Sequence, residues 1–267
     1  MNKFVAPLTG ALLAASAAAG AGAAPTDAVR DLAPNGRLRA AINFGNPVLA
    51  QKDPATGEPC GVSAALAREL GRQLGVPVDF VTFTEAGQVF AALKDGAWDI
   101  SFLAIDPVRA AEIGFTAAYV VIEGTYAVPA GSPLQRVEDV DRDGVHIAVA
   151  QGSAYDLFLT RTLKHAELVR AANSAAAVAL LEQDKVEVLA GVKQPLLEYA
   201  KSHPAVRVLP GRFMEIQQAM GTPKARAAGI GFLKQFVETM KASGFVAREL
   251  AASGQGDATV APPAAAP

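Results

Sequence analysis

The sequence predicts an α/β protein of two lobes, each a mostly parallel sheet flanked by helices and joined to the other by a two-strand hinge. Three observations carry this. Apolar strands alternate with amphipathic helices from Gly36 to Ile105. The pattern breaks at the loop Val128-Pro-Ala-Gly-Ser-Pro133 and then starts again. Two extended stretches, near Gly124 to Val128 and near Leu209 to Gln218, cross between the halves. Alternation of this kind favours a parallel sheet with helices on its faces, and two extended connectors between α/β lobes are the anatomy of a hinge.

The chain opens Met1-Asn2-Lys3, turns apolar at Phe4 and runs through Ala and Gly to Pro25. One positive charge, a short apolar core and small residues before a cut after Ala23 describe a secretory signal peptide over 1–23. About 240 residues remain, enough for one large core or two smaller ones. Asp27 to Leu32 reads as one helical turn and Gly36 to Asn43 as the opening strand, which ends in the turn Asn43-Phe-Gly-Asn-Pro47. After a polar excursion centred on Thr56-Gly57, the residues Val62, Leu66, Leu70 and Leu74 form one apolar helical stripe that Gly75 stops. Val78 to Phe83 reads as a strand, Thr84 as the cap of a helix from Glu85 to Lys94, and Ile100 to Ile105 as a third strand. Asp106-Pro107 then starts a helix, with the carboxylate as cap and proline in the first turn.

In the second half, His146 to Ala150 reads as a buried strand, Ser153 to Leu163 as a helix, and Ser174 as the cap of an alanine-rich helix to Gln183. Val186 to Ala190 is a strand, Pro195 lies in the first turn of a helix to Lys201, and Val206 to Leu209 closes the set. Phe213 to Met220 is extended and runs back towards the first lobe; Thr222-Pro223 opens a helix from Lys224 to Lys241, and a last helix covers Phe245 to Ala252. The predicted division is 24–125 for the first lobe, 126–212 for the second and 213–253 for the return, with Gly, Pro and Ala from Gly254 marking a disordered tail over 254–267.

Lys and Arg number 24 against 26 Asp and Glu, a net charge of −2 without a basic stripe, so nucleic acid is not an expected partner. After the first residues no run reaches the ~20 apolar residues of a membrane span. The single cysteine, Cys60, excludes an intrachain disulfide and is too far from the cleavage site to carry a lipid; His146, His165 and His203 lack metal-ligand spacing. Neither metal nor cofactor is expected.

The chemistry concentrates in the run Trp98 to Tyr126. Arg109 sits at the mouth of a strand-to-helix turn, where a guanidinium and nearby backbone donors can hold a carboxylate. Asp99, Asp106, Arg109, Phe115, Thr116 and Tyr119 follow in an order that resembles the family 3 extracellular solute-binding proteins, the amino-acid receptors of ABC importers, with their type II periplasmic binding protein fold. The resemblance implies that Arg109 grips a ligand carboxylate, with Ala104 and Asp106 beside it on the same turn; Asp106 also reads as a plain helix cap. It implies that the loop carrying Phe44 and Asn46 lines the cleft, although turn chemistry explains both residues equally. Gln151, Ser153, Ala154 and Tyr155 stand where the family meets the ligand from the second lobe, at a helix N-terminus; Ser153 also reads as an N-cap. Further, it implies a periplasmic monomer that takes up an amino acid or small carboxylate and passes it to a membrane permease.

Two departures stand out. The family's Ser/Thr contacts before the arginine are replaced by Phe102, Leu103, Ala104 and Ile105. The aspartate that pairs with a ligand ammonium is missing at Gly191 or Val192. Glu123, next to the first crossing, either replaces it or forms a hinge salt bridge; if it does not serve, the ligand is a carboxylate without an amino group. Two other functions fit the same resemblance: an exported prephenate or arogenate dehydratase with Glu123 as general acid, and a subunit that presents its ligand to a membrane sensor.

Overall fold

The computed structural model describes residues 24–265; the signal-peptide reading falls outside them. The first lobe holds α1 (Thr26–Leu32), β1 (Leu38–Asn43), a small hairpin of β2 (Gln51–Lys52) and β3 (Pro59–Cys60), then α2 (Val62–Leu74), β4 (Val78–Phe83), α3 (Ala86–Ala91), β5 (Ile100–Ala104) and the single turn α4 (Pro107–Ala110). The long β6 (Ile113–Pro129) leads into the second lobe, made of β7 (His146–Ala150), α5 (Ala154–Thr162), β8 (Glu167–Ala171), α6 (Ser174–Glu182), β9 (Val188–Val192), α7 (Lys193–Ser202) and β10 (Val206–Val208). The chain returns along β11 (Met214–Pro223) to α8 (Ala227–Ala242), α9 (Phe245–Ala252) and β12 (Thr259–Val260).

Parallel pairing runs β4-β1-β5 in the first lobe and β9-β7-β8 in the second, as the alternation predicts. The two sheets are nevertheless one hydrogen-bonded network, because β6 belongs to both. At 17 residues it is ~56 Å long at about 3.3 Å per residue. Its Val120 and Ile122 enter the first core, beside Leu38, Leu66 and Leu233. Farther along, Tyr126 and Val128 enter the second, beside Ile147, Val149 and Val188. β11 runs antiparallel to β6 from Met214↔Gly124 to Pro223↔Ile113, so the two crossings lie side by side.

Several local readings change. β8 is absent from the sequence reading because its residues are mostly half-exposed at the sheet edge, which erases the apolar signal. Asn173, not Ser174, caps α6, its Oδ1 accepting from Ala176 N at 2.8 Å. Thr222-Pro223 ends β11 instead of opening α8, since the Thr222 hydroxyl is drawn inward to donate to the Asp99 carbonyl at 2.8 Å. The predicted disordered tail contains a strand: β12 pairs with β6 at Thr259↔Val121 and Val260↔Val120, and Ala261 N donates to the Tyr119 carbonyl at 3.1 Å. β6 offers an open edge there, which composition cannot reveal.

Candidate functional site

β5 is buried along its whole length and delivers the chain to the boundary between the lobes. Asp106 stops the strand and caps α4 by accepting from Val108 N at 2.8 Å, with Pro107 in the first turn. This one-turn helix swings Arg109 inward, where it is fully buried. Nη1 donates to the Ala104 carbonyl at 3.1 Å. Nη2 crosses to the second lobe and donates to the Gly152 carbonyl at 2.8 Å. Nε is buried without a partner. Burial lowers the Arg109 pKa to about 10, against the upward pull of the Asp106 carboxylate, so the side chain remains a cation at neutral pH.

Beside the guanidinium lies a cavity of about 30 Å³, lined by Asn46, Ser63, Phe102, Ala104, Ala154 and Gln218 among others. The Asn46 Oδ1 is buried and unpartnered, whereas the Ser63 Oγ and Tyr119 hydroxyl satisfy each other at 3.1 Å. Asn46 and Arg109, each with a buried polar atom that lacks a partner, both line this small space. The space is large enough for one water and far below the ~300 Å³ of an ordinary ligand pocket.

Further contacts tie the two halves together across this boundary. Arg161 on α5 donates to Asp106 Oδ2 at 2.7 Å. Ser174 N, in the first turn of α6, donates to Glu85 Oε1 at 2.6 Å. Gly87 and Gly152 meet backbone to backbone, so closely that a Cβ on either would overlap the other strand of the contact. On the far side of the loop that carries Asn46, a wider groove of about 890 Å³ runs between α7 and the segment Gly254 to Ala258.

Residues 38–251 match the profile of the bacterial extracellular solute-binding proteins, family 3. The chain belongs to this family. Its fold is that of the type II periplasmic binding proteins. ArgBP from T. maritima is 19% identical with a TM-score of 0.73, over 85% of this chain and 99% of that one. The cysteine-binding protein from Campylobacter jejuni is 20% identical with a TM-score of 0.72, over 84% and 92%. The ancestral amino acid-binding protein AncCDT-1, a precursor of cyclohexadienyl dehydratase, is 23% identical with a TM-score of 0.69, over 83% and 96%. At such identities the likeness is one of fold. Among curated proteins no sequence match was found. No helix among the described residues is long and apolar enough to cross a membrane.

In this solute-binding protein, Asn46, Ala104, Arg109 and Ala154 surround one cavity. Ser153 is buried and caps α5, accepting from Asp156 N at 3.0 Å. Tyr155 is buried below it in the second-lobe core. Gln151 is exposed, and its carbonyl rests against Gly87. Phe44 packs against the first core with Lys52 Nζ 5.2 Å from its ring centre, and lies away from the cavity lining. Asp106 is both helix cap and inter-lobe tie.

Glu123 is outside the lining and is held by Lys193 and Arg212, each at 2.6 Å. Those two partners lower its pKa, which keeps it ionised, the wrong state for a general acid. Gly152, Arg161, Ser63 and Gln218 escaped the sequence reading. Only Gln218 left a trace, as half of a Gln-Gln pair in an otherwise apolar extended run.

Proposed function

We propose that this family 3 protein captures an amino acid or related small carboxylate between its lobes by hinge closure and delivers it, in the periplasm, to the membrane permease of an ABC transporter. Arg109 carries the reading: a fully buried cation at the lobe boundary, with an unpartnered Nε beside a cavity to which both lobes contribute. Such a charge is stable when an anion meets it. The carbonyl of Gly152 now occupies one of its N–H groups; a ligand carboxylate takes that place with a stronger, charge-assisted pair. Relatives in fold point the same way, including a cysteine-binding protein and an amino acid transporter protein from Streptococcus pneumoniae bound to L-arginine.

A thermal-shift screen of amino acids and small organic acids tests this, because a ligand that binds only the folded state raises the melting temperature. Arg109→Ala is expected to abolish the shift while circular dichroism stays native. A hit whose affinity ignores that substitution removes Arg109 from the site and the proposal with it.

A further inference from the structure

We propose that the ligand is a small 2-hydroxy carboxylic acid and that the matched amino acid is discriminated against; this rests on the carboxylate reading of Arg109 above. The argument is one of charge and hydrogen-bond matching. One cation, Arg109, faces the cavity, and among the described residues no carboxylate lines it. A ligand of charge −1 balances that site. A zwitterion would bring a buried ammonium with it, and a buried ammonium needs an anion close by.

Four carboxylates at the lobe boundary are already engaged. Asp106 is taken by Arg161 and Val108 N, and Asp156 by Arg170 and Gly152 N. Glu85 accepts from Ser174 N, and Glu123 is held between Lys193 and Arg212. At the end of β9, where the family resemblance places an aspartate, the chain instead has Gly191 and Val192, followed by the cation Lys193. The Ala104 carbonyl already accepts from Arg109, and the Gly152 carbonyl, released when a ligand carboxylate takes its place, is neutral and does not balance an ammonium charge.

Among the described residues lining the cavity, one side-chain acceptor is buried without a partner. Asn46 is 8% exposed and its Oδ1 lacks a partner. A single hydroxyl next to the carboxylate satisfies it, and a 2-oxo acid, which has no donor there, does not. Ser63 and Tyr119 are paired with each other, and Gln218 adds an uncharged amide to the lining. The site is thus built for one negative charge and one hydroxyl.

The test is calorimetric titration of the full chain with matched pairs that share a side chain: L-lactate and L-alanine, L-malate and L-aspartate, L-3-phenyllactate and L-phenylalanine. In whichever pair binds, the hydroxy acid is expected to be tighter by about tenfold or more, the discrimination one buried hydrogen bond and one unbalanced charge supply. Asn46→Leu should remove about tenfold from the hydroxy acid. Asn46→Asp, which supplies the missing anion, should shift the preference towards the amino acid. If instead the amino acid of a pair binds equally or more tightly and depends on Arg109, the inference is overturned while the carboxylate reading stands. If no hydroxy acid binds while another carboxylate from the thermal-shift screen binds through Arg109, the inference is likewise overturned and the carboxylate reading stands.

Discussion

Gly87→Ala is the sharpest probe of the closed geometry. Gly87 lies in the first turn of α3 and its φ is negative, so its own backbone accepts alanine, and the helix gains up to ~1 kcal/mol in propensity. The added Cβ, however, stands 2.6 Å from the Gln151 carbonyl oxygen and 3.2 Å from the Gly152 Cα. Both are backbone atoms of the other lobe, so no rotamer change relieves the overlap. Restoring an ordinary carbon-to-oxygen separation of ~3.3 Å requires the lobes to part by roughly 0.7 Å. The Arg109 Nη2 to Gly152 contact, now 2.8 Å, then lengthens to about 3.5 Å, beyond a useful hydrogen bond. In the ligand-bound form, where a carboxylate replaces the Gly152 carbonyl on Arg109, the same widening stretches one ligand contact between the lobes. A charge-assisted bond is worth about 1.5–3 kcal/mol, so ligand affinity is expected to fall roughly 10- to 100-fold. Loss of the Arg109–Gly152 bond in the ligand-free protein offsets the helix gain, and resistance to urea stays level or falls. Calorimetry with the ligand from the thermal-shift screen measures the first quantity. Small-angle scattering with saturating ligand measures the second consequence, a larger radius of gyration. An unchanged affinity together with an unchanged radius would show that Gly87 and Gly152 do not meet when the protein closes, and the reasoning would fail.

Asp99 supplies a prediction about pH. It is fully buried and is bonded by Arg39 and Arg226; burial pushes its pKa up, but those partners outweigh it and hold the value below the ordinary carboxylate range. A depressed folded-state pKa means the stabilisation is complete above the unfolded value of ~4 and is lost as the pH falls through the lower folded one. Asp99→Asn should lower urea stability by about 3 kcal/mol at neutral pH by stranding two guanidinium groups, and should flatten the acid limb of the stability profile; an unaltered limb assigns acid sensitivity elsewhere. Ending the chain at Gly254 removes β12 and the buried Ala258 and Ala261, which should lower stability by roughly 2 kcal/mol, read from the urea midpoint. An unmoved midpoint would mean the strand adds nothing to the hinge edge it covers.

Most of the architecture is legible before any coordinates, because it rests on short-range pattern. The stripe Val62, Leu66, Leu70 and Leu74 turns one face of α2 inward and all four are buried. Gly75 closes that helix in the left-handed conformation at φ 70°, as a stop signal should. Asp106-Pro107 is a helix start readable from two residues. Arg109 is legible as a site candidate for the same reason: its place in the turn is a local matter. By contrast β8 has no such pattern, and β12 is strand only because β6 leaves an edge beside it.

By itself the sequence determined the order of strands and helices, the two-lobe division and the placing of a guanidinium after a buried strand, since each depends on residues within a few positions of one another. The tertiary structure alone decided which charges are already matched. Arg109 meets Gly152 across 43 residues, Asp106 meets Arg161 across 55, and Glu85 meets Ser174 N across 89. Electrostatic pairing depends on distance in space, and along the chain these partners are strangers. That is why Glu123 could be read either way from its neighbours, and why only the fold shows Asn46 to be the acceptor left waiting.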